Sequence, residues 1–459
     1  MQRASANDMM ELATDTPSAP QHVAAILRLE RAVDPTTVRE VLSDRLPGVP
    51  RLRQRLIRAP LGGGRPLWVD DTTFDIAHHL TVRTAPAPGD EAALLDVSSA
   101  AATTRLPRNR PLWSVTVVTG LENGSTALVL VLHHVLADGI GGLAALASLV
   151  DGAPPAPPRA FPAPAPIPTA LWIDATRRRI RALASLPRVP RLLREAATEL
   201  QLGTRGRPSA CSLNQPIGPR RRLAVTSVPL TEIVGLAHHH QATVNDVLLT
   251  AVAGALTAAL HDRGESVDSF VISIPISVRR DASSTELGNQ VGVMPVQVPA
   301  AGRPFERLAA IAASTHAACH SPGRGASAPL LAFGFRLLAR VGVFAFFVNH
   351  QRLVTTFVTN LRGPSTPMTL DGARVTEIIP ISSISGNITV AFAALSYAGT
   401  LTVTIIADPD HCPDLLRIAT ALDDELDHLA STLGAAGPND PERWGLVDGQ
   451  AGAPKSSQS

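Results

Sequence analysis

His133, His134, Asp138 and Gly139 stand together in the segment HHVLADG, at spacings that could support proton-transfer chemistry. A neutral imidazole titrates near pH 7 and suits general-base work. On a strand, adjacent side chains point to opposite faces. His133 and His134 therefore cannot readily grip one metal ion, unlike the i, i+4 histidines of a metal-binding helix. One ring facing a channel and its neighbour facing the core is the predicted geometry. Asp138, four residues beyond His134, falls where a carboxylate can hold a turn. Gly139 permits a tight strand-to-helix junction. A His-His pair at a strand end is commonly structural, and the aspartate and glycine at this spacing move the reading toward catalysis.

The elements that must position these residues can be read on either side. STALVLVL (125–132) is an apolar, largely β-branched and leucine run of the kind found in buried strands, and GIGGLAALASLV (139–150) reads as a helix. Earlier, QHVAAILRL (21–29) suits a strand. DPTTVREVLSDRL (34–46) suits a helix with Asp34 as N-cap and Pro35 at the first helical position. RLRQRLI (51–57) alternates like an exposed strand, residues 91–105 read as a helix, and Pro111-Leu112-Trp113 opens another strand. The proline-rich run 151–168 is an extended linker, followed by arginine-rich helical sequence over 172–202. In a second folded region, 243–264 is a long apolar helix, and 270–279 and 289–299 are strands. Residues 355–408 supply further strands with a turn at Gly399, and residues 412–431 form a closing amphipathic helix. Mixed strands and helices give an α/β (α+β) class. The expected division is 1–152, a linker with helices over 153–214, 215–438, and a polar tail over 439–459 expected to be disordered.

Composition narrows the function. The 459 residues are 45% hydrophobic and 17% charged with net charge +2, and no basic run is interleaved with aromatics, so nucleic acid is not an expected partner. Cys211, Cys319 and Cys412 are far apart and form no CxxC pair, which argues against a disulfide framework and against a metal site. The N-terminal MQRASANDMMELAT lacks the apolar run of a signal peptide, and no uncharged apolar stretch of about 18 residues suggests a spanning helix. A cytoplasmic protein is expected. Residues 329–350 and the basic helices from Arg177 to Arg194 fit either a lipid surface or packing within the fold.

The HHxxxDG pattern is similar to that of acyltransferases related to chloramphenicol acetyltransferase and peptide-synthetase condensation domains. Over residues 10–435 the chain resembles the bacterial wax ester synthase/diacylglycerol acyltransferase family. The resemblance rests on PLW (111–113), SLNQPIGPRRR (212–222), TVNDVLL around Asn245-Asp246, and IPISVR ending at Arg279. It continues through LGNQVGVMPVQVP (287–299), TNLRGPSTPMTLDGARV (359–375) and GNITVAFAALSYAGTLTVTIIAD (386–408). A family segment of SNVPGP type stands here as Thr359-Asn360-Leu361-Arg362-Gly363-Pro364. Asn360 and Gly363 are kept, and Arg362 adds a charge where the channel is expected to run.

The resemblance implies two chloramphenicol-acetyltransferase-like halves, mixed sheets with flanking helices, around a central channel. It implies His134 as general base, deprotonating the hydroxyl of diacylglycerol or a fatty alcohol as that oxygen attacks an acyl-CoA thioester. His133 is then a packing neighbour, and Asp138 a structural residue with Arg279 as its candidate partner. Trp113, Asn245, Asp246, Gly139, Asn360 and Gly363 are assigned to substrate contact or structural support. No cofactor is implied beyond acyl-CoA as substrate. Peripheral association with the inner membrane face or lipid inclusions is compatible with such substrates. The same chemistry could serve a specialised-metabolite hydroxyl, and a non-catalytic lipid-binding paralogue is the non-enzymatic alternative.

Overall fold

The computed structural model describes residues 2–153, 160–184, 190, 209–277, 291–319, 334–335, 337–338 and 342–431. The first part of the chain builds α1 (Ala6–Thr14), β1 (His22–Leu29), α2 (Pro35–Arg45), β2 (Gln54–Ile57) and β3 (Leu67–Asp70). It continues with β4 (Leu80–Thr84), α3 (Glu91–Thr103), β5 (Trp113–Thr119), β6 (Ala127–His133), α4 (Gly139–Ala147) and α5 (Pro168–Ala184). The second part builds β7 (Arg222–Pro229), α6 (Leu230–His239), α7 (Val244–Asp262), β8 (Ser269–Ser277), β9 (Val291–Pro299), α8 (Pro304–Cys319) and α9 (Phe344–Asn349). It closes with β10 (Thr356–Arg362), β11 (Thr369–Leu370), β12 (Ala373–Ile381), β13 (Val390–Tyr397), β14 (Thr400–Ala407) and α10 (Leu415–Ser431).

Two six-stranded sheets organise these elements, in the orders β11-β12-β1-β6-β5-β4 and β7-β14-β13-β10-β8-β9. Both are mixed: β4 runs parallel to β5, and β10 runs parallel to β8 and β13. β12 lies late in the chain yet pairs with β1 in the first sheet, from Ala24↔Ile381 to Leu29↔Val375. Its side chains Ile379 and Ile381 join Ile26 of β1 against Ala391, Ala393 and Ile406 of the second sheet, a shared core that locks the two sheets together.

β6 explains its own unbroken hydrophobicity. Leu128, Leu130 and Leu132 belong to one core cluster and Ala127, Val129 and Val131 to another, so both faces are buried and no polar alternation is tolerated. α7 is the central helix of the second unit, packed against α8 and α10. It is long and apolar enough, by length and composition, to cross a membrane, but 72% of that stretch is buried inside the fold.

Most expected elements stand where the sequence places them, including α2 with Asp34 accepting the Thr36 amide at 2.7 Å. Residues 51–57 differ. Only Gln54–Ile57 is strand, and the residues before it form a 3-10 turn in which Arg51 and Leu52 are buried. Arg51 is drawn in because its guanidinium stacks over Trp68, 4.2 Å from the ring centroid. The linker over 154–159, the arginine-rich sequence beyond Ala184 (apart from residue 190) and the tail beyond residue 431 lie outside the described residues.

Candidate active site

The motif is delivered by the end of β6 and caught by the start of α4. His133 N donates to Leu112 O at 2.9 Å, His134 N to Gln21 O at 2.8 Å and Leu136 N to His133 O at 2.8 Å. Asp138 is the N-cap of α4: its Oδ1 accepts the Gly141 amide at 2.7 Å, and its carbonyl accepts Gly142 N at 2.7 Å. A carboxylate there satisfies helix donors that would otherwise be orphaned and complements the positive end of the helix. Asp138 is fully buried, as a residue that holds the turn should be. Arg279, its expected partner, lies outside the described residues.

The two histidines face opposite ways. His133 is 2% exposed and sits on the Val129/Val131 side, opposite His22 in the β1–β6 register, with ring centroids 5.7 Å apart in a T-shaped arrangement. Its Nδ1 accepts the Val135 amide at 3.1 Å. In the neutral ring the proton is therefore on Nε2, which faces Asp15 Oδ2 at 3.6 Å without a hydrogen bond. At that distance the contact is electrostatic. Asp15 is also held by Arg108 at 2.6 Å and Arg105 at 3.4 Å, and accepts Gln21 N at 3.3 Å. Burial alone would raise the Asp15 carboxyl; the neighbouring His133 and Arg108 overcome that and hold it far below the usual carboxylate range. His22 Nδ1 lies 2.9 Å from Ala102 O, and burial pushes this imidazole down to about 4.

His134, half-buried, lines a cavity of about 280 Å³ between the two sheets. Leu130 and Leu132 continue the same strand face, Leu143 and Leu146 come from α4, and Leu361 and Leu395 close the wall from the second sheet. Thr359 and Asn360 of β10 and Ser382 add polar groups to the lining. Asn360 is half-buried in that lining, and its side-chain amide makes no hydrogen bond among the described residues.

The other expected site residues separate into lining and framework. Gly139 lines the cavity, and a Cβ there would meet Leu361 Cδ2 at 2.9 Å. Arg362 is exposed and is absent from the described lining, where its neighbour Leu361 stands, so Arg362 does not place its charge there. Gly363 is framework: its amide bonds Ser396 O at 2.8 Å, and an added Cβ would collide with that carbonyl at 2.5 Å. Trp113 is a core residue away from the cavity, donating Nε1 to Leu52 O and stacked by His79 at 4.4 Å. Asp246 is also framework. Thr243 caps α7; Asp246 Oδ2 accepts Thr243 N at 2.8 Å, and Oδ1 accepts the Thr315 hydroxyl of α8 at 2.6 Å. Asn245 is half-buried in the first turn and does not line the cavity.

Sequence reasoning missed Asp15, Gln21 and Leu361. Asp15 is the C-cap of α1, and nothing in its ATDTPS context signals a carboxylate destined for burial beside His133. Among the described residues no three His, Cys, Asp or Glu side chains converge as a metal site.

Comparison with known proteins gives this geometry its family. Residues 4–248 match the wax ester synthase/diacylglycerol acyltransferase catalytic domain, and residues 287–430 match the WS/DGAT C-terminal domain. The chain is 31% identical over 407 residues to the probable diacylglycerol O-acyltransferase tgs1 of Mycobacterium tuberculosis, covering 85% of this chain and 87% of that one. In fold it is similar to the wax ester synthase/diacylglycerol acyltransferase of Marinobacter aquaeolei, with a TM-score of 0.66 at 23% identity over 94% of this chain and 100% of that one. The first condensation domain of the CDA synthetase shares the fold with a TM-score of 0.61 at 19% identity, over 94% and 96% of the two chains. The chain belongs to the wax ester synthase/diacylglycerol acyltransferase family.

Proposed function

We propose that His134 is the general base with which this acyltransferase moves a long-chain acyl group from acyl-CoA to diacylglycerol or a fatty alcohol. The observation that carries the reading is the meeting of one imidazole with a cavity lined mainly by apolar side chains. A long acyl chain gains about 0.8 kcal/mol per buried methylene, and the leucines of β6, α4 and the second sheet supply that environment around His134. The acceptor hydroxyl gives its proton to the imidazole as its oxygen attacks the thioester carbonyl. The tetrahedral intermediate then expels CoA, and the imidazolium returns the proton to the departing sulfur. A thiolate with a conjugate-acid pKa near 8.5 is a good leaving group, so no covalent acyl-enzyme is needed. A well-placed base contributes about 10²–10⁴-fold, and positioning contributes much of the rest.

Asn360 supports the reading as an amide donor to the polar head of the bound substrates. CoA enters as substrate, and no further cofactor is invoked. Acceptors of this kind reside in membranes and lipid inclusions, so we place the enzyme in the cytoplasm where it meets them peripherally.

The test is CoA release from palmitoyl-CoA with hexadecanol, with dipalmitoylglycerol and without acceptor, in wild type and His134→Ala. Acceptor-dependent release that falls by about 10²-fold or more in a folded variant is the expected result. Equal rates in the two proteins would remove His134 as the base. No release with either lipid would redirect the search to a specialised hydroxyl acceptor.

A further inference from the structure

We propose that the outward face of α5, together with the tip of the β2–β3 hairpin, docks on an anionic phospholipid surface. α5 packs inward through Leu171 and Ala175, with Leu171 joining Leu67 and Val69 of the hairpin in a small core. Asp174 ties the same helix inward at 2.6 Å to Arg3, and also pairs with Arg178 one turn along the helix at 3.0 Å. That arrangement already uses the side a helix normally keeps apolar.

The opposite side is apolar as well. Trp172, Ile173 and Ile180 are 47%, 54% and 60% exposed; the seven-residue step puts Ile173 and Ile180 on one face, and Trp172 flanks it on the side of the hairpin. Leu61 at the hairpin tip is 99% exposed. It joins the same patch, because Trp172 Nε1 donates to Leu61 O at 3.1 Å and Arg179 donates to Gly62 O at 2.9 Å. Isolated surface apolar residues are ordinary, but a contiguous patch of this kind marks a contact surface.

Charge identifies the occupant. Arg177, Arg179 and Arg181 border the apolar stripe, and Arg177 and Arg181 have no carboxylate partner among the described residues. The one acidic residue of α5, Asp174, is already paired with Arg3 and Arg178. The whole chain carries only +2, so this is a local concentration of positive charge. In a two-fold contact with a second copy, these arginines would confront their own equivalents. An anionic bilayer instead takes the isoleucines and Leu61 below its headgroups, seats the tryptophan at the interface and pairs the arginines with phosphates.

The test reads binding alone, so it stands apart from the identity of the acyl acceptor. Pure protein is floated with vesicles of phosphatidylcholine and with vesicles in which about a third of the lipid is phosphatidylglycerol. Wild type is expected to float with the anionic vesicles, less so at high salt. In a Trp444→Phe background, chain-brominated lipid is expected to quench Trp172, since Trp68 and Trp113 are buried; adding Trp172→Phe removes that quenching while binding remains. Ile173→Ser/Ile180→Ser is expected to lower the bound fraction about tenfold with an unchanged melting temperature. Arg177→Glu/Arg181→Glu is expected to abolish the preference for anionic lipid. Wild type that stays unbound, or serine and glutamate variants that bind like wild type, would overturn the proposal. So would a wild-type dimer that the serine variant dissociates in the absence of any vesicle binding.

Discussion

The two faces of β6 treat identical side chains in opposite ways. On one, His133 is sealed beside His22, accepts a backbone amide and looks onto a buried carboxylate flanked by two arginines. On the other, His134 meets a leucine-lined cavity that reaches the second sheet. Both come from the same strand end, and the pleat alone separates them. Reactivity here is a matter of side: one histidine has its neighbours fixed by the fold, and the other has a substrate-sized space in front of it.

The contrast breaks most sharply under alanine. His134→Ala is expected to lower kcat by about 10²–10⁴-fold with little change in melting temperature. His133→Ala is expected to do the reverse, losing stability by about 1–3 kcal/mol as a packed polar group is deleted, with a much smaller fall in kcat. Steady-state kinetics paired with thermal melts of the two variants decide it, and equal kinetic losses would dissolve the distinction.

The sealed side also titrates. His22 is held near 4 by burial, whereas an unfolded histidine titrates near 6.5. Below 6.5 the unfolded chain takes up a proton that the folded chain refuses, so stability falls as pH drops toward 4 and is fully restored above 6.5. The expected loss is on the order of 2–3 kcal/mol at pH 4. Urea unfolding across this range should show that slope in wild type and a shallower one in His22→Gln; identical slopes would count against it.

Two smaller effects test the junction and the cavity. Asp138→Ala is expected to cost about 1 kcal/mol or somewhat more through loss of the α4 cap, and to reduce activity by misplacing His134; melting and kcat should fall together. Gly139→Ala should push Leu361 into the cavity and shift acyl-CoA preference toward shorter chains by a few-fold in kcat/KM. A chain-length series measures it, and an unchanged optimum would mean Leu361 yields elsewhere.

Local signals were the readable ones. The strand-turn-helix that carries HHVLADG, the opposed histidines and the turn held by Asp138 all depend on neighbours within a few residues, where pleat and turn rules act. Residues 51–57 misled because an arginine reads as polar in any pattern, while Arg51 is stacked on Trp68 and buried. Asp246 proved to be framework because its reciprocal pair with Thr243 fixes the first turn of α7. Asp15 was invisible because its partners come from β6 and from the segment before β5. The placement of β12 beside β1 was equally unreadable, since strand pairing across the chain leaves no periodicity behind.

That last pairing has a consequence for how the protein is made. β1 is complete early in synthesis, but the strand that covers its outer edge ends at Ile381. At about 5–20 residues per second, the ribosome leaves that edge open for tens of seconds. The exposed edge belongs to the apolar run HVAAILRL, the type of surface that recruits stray strands from other nascent chains. A chain cut after β10 would carry both histidines and the cap of α4, and would be lost to aggregation before its chemistry could be assayed.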